Sequence, residues 1–141
     1  MPSWRDWQWS SLPPELVPCF MVVDVIQDPL DFIYRFWGTS YTRIHNQEMT
    51  KKSVRELRSP GAAENSFAQY KEIVESTQPG FFSYPIQLTD RHHPVDRPSL
   101  RMPFSDDGRT VNIAVTFADW REDVWHLRME HMEFFGESRF F

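Results

Sequence analysis

A single cysteine, Cys19, among 141 residues leaves no partner for an intramolecular disulfide. The sequence has no long uncharged apolar run to cross a bilayer and no charged-then-apolar leader, so the cytoplasm is the expected compartment and no membrane partner is expected. The five glycines form no phosphate-cradling loop, and no Ser-His-Asp set or spaced Cys and His motif is found. Those absences leave an enzyme reading with little to stand on, and no catalytic residue is assigned. Basic residues are also the minority, fifteen against twenty acids for a formal charge of −5. That balance argues against a phosphate backbone, so no nucleic-acid partner is expected. Residues 119–141 carry six acids and three bases, which concentrates the acidity in the tail.

Metal ligands are equally scarce. His92, His93 and Asp96 are the one cluster with that look, but adjacent histidines in an extended segment point to opposite sides. His126 and His131 would stand ~140° apart around a helix, which is poor for a shared ion. Both sets read as solvated, and no metal is expected. Lys51, Lys52, Arg55 and Arg58 form the densest positive patch and read as solvated surface.

What is plentiful is aromatic surface: six Trp, four Tyr and twelve Phe in a chain whose length fits one domain. Each can bury ~150–250 Å². Some of these rings must lie under helices, line a cavity or meet a partner.

The stretch from Asp31 to Leu57 organises the rest, because its periodicity changes at Gly38. Before it, Phe32, Tyr34 and Phe36 alternate with Ile33, Arg35 and Trp37, predicting a strand with an aromatic face. After it, Thr39 is expected to cap a short helix through Tyr41 and Ile44 that Asn46 stops in the left-handed conformation. Thr50 is expected to start a second short turn through Val54 and Leu57. Gly38 itself is expected to need a positive φ or a close backbone approach.

Around this core, residues 1–14 read as a flanking segment with Trp4 and Trp7 three apart and Trp9 and Leu12 three apart, stopped by Pro13 and Pro14. Val17–Ile26 predicts a buried strand carrying Cys19 as a small hydrophobe, and Asp28-Pro29 turns it into a hairpin with the next strand. Ser59-Pro60 starts a helix with Phe67, Tyr70, Ile73 and Val74 on its inner stripe and Gln69 among its outer positions. Gln78-Pro79-Gly80 ends it, and residues 81–90 predict a strand that Pro85 assigns to a sheet edge. Residues 90–98 read as a polar loop. Leu100, Met102 and Phe104 then alternate up to an Asp107-Gly108 reversal, and Val111, Ile113, Val115 and Phe117 return with a period of two. Asp119 and Glu122 form a capping box for a last helix, whose stripe of Trp120, Val124, Leu127 and Phe134 is widened by Trp125 and Phe135.

The strand ending Tyr34, Arg35, Gly38, Thr39, followed by the turn Thr50, Lys51, Lys52, resembles the start of a bacterial PAS-like domain with a Tyr-Arg-x-x-Gly-Thr motif. Lys51 stands where that family usually has glycine. The closing strand, Asp-Gly turn and strand match the family's end in the right order, and the likeness runs to Trp120. It implies an α+β fold, a five-stranded antiparallel sheet in the order 2-1-5-4-3 with helices on one face, occupying residues 15–119, with residues 120–141 as an amphipathic helical tail. It also implies a stand-alone, non-enzymatic sensory or interaction domain in signal transduction. Such a domain would hold a small apolar or aromatic ligand between helices and sheet.

Any such pocket is expected to be lined by Tyr34, Phe36, Phe67, Tyr70, Tyr84 and Ile113, the alternative being a fully packed core. The cofactor is unknown. Haem is disfavoured because residues 60–77 hold no histidine, and photoactive flavin because Cys19 is not in an Asn-Cys-Arg motif on a helix. Relatives that bind small carboxylates use basic side chains on central strands; Arg35 and Arg101 fall out of phase with their strands' apolar faces and are expected to face solvent or a partner. The N-terminal tryptophans read either as a flap closing the domain's own core or as a contact with a second copy, and the tail either as part of that contact or as folded back over its own sheet. The homodimer expected on the second reading has Trp4, Trp7, Trp125 and Phe135 at its contact, and a protein partner of unknown identity is the alternative. The rival is an α+β cone enzyme of the ketosteroid-isomerase or dehydratase kind, for which Asp24 is the one candidate acid.

Overall fold

Gly38 marks the change from strand to helix, and the rest of the sheet assembles on the strand before it. In the computed structural model β1 (Phe20–Ile26) and β2 (Asp31–Trp37) form the first hairpin, followed by α1 (Thr39–His45) and α2 (Pro60–Ser76). β3 (Gly80–Leu88), β4 (Val95–Phe104) and β5 (Ile113–Phe117) complete five strands, and β6 (Met132–Phe134) and β7 (Ser138–Arg139) are short additions. The structure describes residues 1–88, 95–121, 132–134 and 138–139, and for 84–88, 95–96, 132–134 and 138–139 it describes the backbone alone. All pairings are antiparallel, in the order β2-β1-β5-β4-β3-β6 with β7 also on β3. The five longer strands therefore lie 2-1-5-4-3 and the class is α+β, as the resemblance implies. Among the described residues no helix is long and apolar enough to cross a membrane.

Local sequence explains most boundaries. Asn46 ends α1 in the left-handed conformation, and the Ser59 hydroxyl accepts from the Ala62 N–H at the start of α2, with Pro60 in its first turn. Thr39 turns out to be the first helical residue, with Gly38 in the cap position. Ser53 rather than Thr50 caps the second turn, Val54–Glu56, in a reciprocal box with Glu56. Lys51 takes the positive φ, 67°, that a glycine would adopt without strain. The turn around it is tied to β2, since Lys51 N–H donates to Tyr34 and Tyr34 N–H to Lys52, at 2.7 and 3.0 Å.

Several expected elements shift. Val17–Cys19 belong to a 3-10 turn, Pro14–Cys19, because Pro18 has no N–H for a ladder; Cys19 is buried just before β1. β4 begins at Val95, so the polar loop is shorter than expected. The β4–β5 reversal spans residues 105–112, with Gly108 at φ 77° and the Asp107 carboxylate accepting from Arg109 N–H, Thr110 N–H and Ser105 Oγ. Those bonds hold the Asp107 carboxyl down to about 2. β3 is not an edge: β6 pairs with Ile86–Leu88 and β7 with Phe82–Ser83, and Pro85, which has no N–H to give, falls between them. The helix expected across residues 120–135 does not include Met132–Phe134, which satisfy the open side of β3 instead. The Asp119 carboxylate accepts from the Arg121 backbone and guanidinium; Glu122 lies outside the described residues.

A bulge decides which aromatic rings share a face. Phe36 stands opposite Val22 and Tyr34 opposite Val23, so Arg35 is the extra residue and the alternation of β2 resets there. Phe32, Tyr34 and Trp37 go to the helix side with Met21, Val23 and Ala114, packed by Tyr41, Ile44, Tyr70 and Trp120. Phe36 goes to the opposite side with Phe20, Val22, Phe104, Ile113 and Val115. That second face is roofed by the N-terminal 3-10 turns Trp4–Asp6 and Trp9–Ser11, whose three tryptophans stack on one another and on Phe20, Phe36 and Phe104 at 4.7–6.4 Å. Both sides of the central strands are thus covered.

Candidate functional site: a buried arginine between helix and sheet

β4 lies in the middle of the sheet, and its two phases are chemically opposed. Met102 and Phe104 face the tryptophan roof, whereas Ser99 and Arg101 face α2. Arg101 stands opposite Thr116 on β5 and opposite Gly80, which has no side chain, on β3. Its side chain is 0% exposed.

α2 supplies the matching groups because Gln69 and Tyr70 are both buried on its inner stripe. Arg101 Nε donates to Gln69 Oε1 at 2.9 Å and Nη1 to Thr116 Oγ1 at 2.7 Å. Gln69 is oriented by its own Nε2, which donates to the Ser83 carbonyl at 3.5 Å. The Tyr70 and Thr116 hydroxyls lie 3.0 Å apart, and the guanidinium carbon sits 4.2 Å from the Tyr70 ring centroid.

Two groups in this cluster have no hydrogen-bond partner among the described residues: Arg101 Nη2 and Ser99 Oγ. They belong to one phase of one strand, two residues apart, or ~7 Å along it. No carboxylate pairs with Arg101 among the described residues. A buried cation with a donor unused costs several kcal/mol unless something completes it.

Of the expected pocket residues, Tyr34 and Tyr70 are brought together on the helix side, with Phe32 touching both Tyr70 and Phe67 at 5.3 and 5.2 Å. Phe67 is half-buried. It also lines a surface groove of about 450 Å³ with Arg55, Leu57, Pro60, Ala63 and Glu64, and the Arg55 guanidinium lies over its ring at 4.3 Å. Phe36 and Ile113 are corrections: both pack on the tryptophan-covered face, Phe36 through the bulge and Ile113 through the phase of β5. Tyr84 falls on β3 opposite Arg97, and its side chain lies outside the described residues. Trp4 and Trp7 are half-buried against their own sheet; Trp125 and Phe135 lie outside the described residues. His92, His93, His126 and His131 also lie outside them, and the description of Asp96 stops at its backbone.

The expectation that both arginines face outward splits. Arg35 is exposed and bonds Asp24 through Nε and Nη2 at 3.0 and 2.7 Å, whereas Arg101 is the buried centre of the site. Sequence reasoning missed Arg101 because it took the apolar phase of β4 to face the helices. The available signal was the stripe Ala62, Ser66, Gln69, Tyr70, Ile73, whose polar members imply polar partners on the sheet. Asp24, the acid the enzyme rival needs, lies opposite Ile113 on the face away from α2 and is ion-paired.

No family model matches this sequence, and no curated protein matches it. Among the solved structures that share the α+β fold are two of VqmA. One, "VqmA bound to DPO", has a TM-score of 0.52 at 13% identity over 74% of this chain and 53% of that chain. The other, the Vibrio cholera VqmA-Ligand-DNA complex, has a TM-score of 0.50 at 12% identity over 74% of this chain and 46% of that chain. This chain thus spans about half the length of the VqmA chains it resembles.

Proposed function

We propose that this chain is a PAS-type sensory domain, non-enzymatic and cytoplasmic, that holds a small molecule between α2 and the sheet. The observation that carries the reading is the Arg101 cluster: a fully buried guanidinium oriented by Gln69 and Thr116, with Nη2 unused. The strand order, and the seating of DPO and of a ligand by VqmA proteins of similar fold, support it. DNA binding is not part of the proposal, since the share of VqmA without a counterpart here is about half and this chain carries −5. The dehydratase-like rival loses support because its one acid, Asp24, is ion-paired on the opposite face.

Native mass spectrometry of the purified full chain tests the reading and reports copy number in the same spectrum. A small-molecule adduct on the wild type that is absent from Arg101→Met is expected. Identical bare spectra for both, at every source energy, would count against a ligand-binding role. A dimer peak is expected, and a purely monomeric spectrum removes self-association from the reading.

A further inference from the structure

We propose that the groove between the turn Val54–Glu56 and the first half of α2 docks an acidic peptide segment of another protein, one that seats a large apolar side chain beside its carboxylates. The proposal goes beyond the ligand reading and stands without it. The groove, about 450 Å³, has an apolar floor of Leu57, Pro60, Ala63 and Phe67, with Arg55 from the turn and Glu64 from α2 beside it. Arg55, Pro60 and Glu64 are exposed, so the groove opens to solvent and receives side chains from outside rather than enclosing a molecule.

Charge selects the occupant. Lys51, Lys52 and Arg58 are exposed, flank Arg55 in one short stretch, and form no ion pair among the described residues. The carboxylates nearby are engaged at their own turns: Glu56 accepts from Ser53 N–H, Glu48 from Thr50, and Asp31 from Phe32 N–H, Ser53 Oγ and Arg55. Arg55 is also held in place over the Phe67 ring at 4.3 Å and by the Leu30 carbonyl, so its charge is positioned at the groove before any partner arrives. Lys51 sits at φ 67°, a conformation glycine adopts without strain, so its side chain is present at a cost to stability that a partner contact would offset. A phosphate backbone would meet these cations and leave the apolar floor uncovered. A peptide carrying acids around an apolar residue meets both.

The probe is the acetylated peptide Glu-Asp-Glu-Leu-Phe-Glu-Asp-Glu, titrated to millimolar concentration into isotope-labelled full-length protein and followed by amide NMR shifts. Shifts are expected over residues 51–67, with affinity falling roughly tenfold as salt is raised from ~0.02 to ~0.2 M. A counterpart with Gln or Asn for every acid should bind at least tenfold more weakly, and so should one with Ser for Leu and Phe. Lys51→Gln, Lys52→Gln and Arg58→Gln combined, all at exposed positions, should cost the acidic peptide at least tenfold, whereas Glu64→Gln should tighten it several-fold. No shifts, or shifts confined to other surfaces, overturn the proposal. Equal binding of the Ser counterpart removes the groove from it and overturns it too. Oligothymidylate that shifts the same residues as tightly as the acidic peptide overturns it in favour of a phosphate backbone.

Discussion

The two faces of this sheet are covered by different chemistry. Beneath the roof that face is apolar, with Trp4, Trp7 and Trp9 over Phe20, Phe36, Phe104, Ile113 and Val115, and the Asp24–Arg35 ion pair lies at its exposed end. The helix-covered face is apolar over β1 and aromatic over β2, but over β4 and β5 it holds Ser99, Arg101 and Thr116, answered by Gln69 and Tyr70 from α2. An apolar layer contributes stability and no specificity, whereas a buried polar cluster contributes little stability and much specificity. The difference teaches that the sheet holds together on its tryptophan side and leaves its helix side as the one to which the proposed recognition falls.

The largest expected effect lies at the junction that both faces share. A Cβ at Gly38 would come 2.1 Å from the Pro18 carbonyl oxygen and 2.6 Å from that of Phe20, both backbone atoms that cannot rotate away. Its φ of −62° is ordinary, so the requirement is space rather than a left-handed conformation. Gly38→Val should lose ~4 kcal/mol or more in urea unfolding, or fail to fold, disturbing both faces at once. A midpoint within error of wild type would show that the junction has slack.

The helix side carries a second dry polar group, which sharpens the comparison by pH. His45, buried beside Trp37, has its pKa lowered from 6.5 to about 4 by desolvation. The unfolded chain therefore takes up the proton first. The stability is complete above pH 6.5 and is lost as pH falls toward 4, by up to ~3 kcal/mol. Denaturation curves at intervals across that window should show the slope in wild type and a flatter one in His45→Gln; parallel slopes would remove His45 as the source.

The direct contrast is one truncation per face. Trp7→Ala should lose ~2–3 kcal/mol, because Trp7 touches Trp4, Trp9, Phe20 and Phe104. Arg101→Met, in ligand-free protein, should stay within ~1 kcal/mol of wild type or exceed it, since an uncompensated buried charge is removed. If Arg101→Met proves the more damaging of the two, the division between a stabilising face and a recognising face is broken.

The smallest effect concerns neither face. Lys51→Gly should stabilise by ~0.5–1 kcal/mol, because a non-glycine residue at φ 67° is strained while glycine there is not. Urea midpoints of the two proteins decide it, and a loss instead would mean that the Lys51 side chain holds more than its backbone position.

Much of this was legible in the residues. The hairpin around Asp28-Pro29, the Asn46 stop, the Ser59-Pro60 start of α2 and the tight packing at Gly38 follow from local preferences that hold wherever the chain goes. The strand order was reachable through the resemblance of Tyr34-Arg35 and Gly38-Thr39 to a known motif. What tertiary structure alone decided was which phase of each strand meets α2. Alternation defines two faces without naming them, and when both are covered hydrophobicity no longer tells inside from outside. The bulge that sends Phe36 away from Tyr34 depends on pairing with β1, and the tryptophan roof that claims Ile113 is more than a hundred residues away in sequence. Once that roof takes the apolar phase of β4, Arg101 is carried inward to the place where Gln69 and Thr116 can hold it.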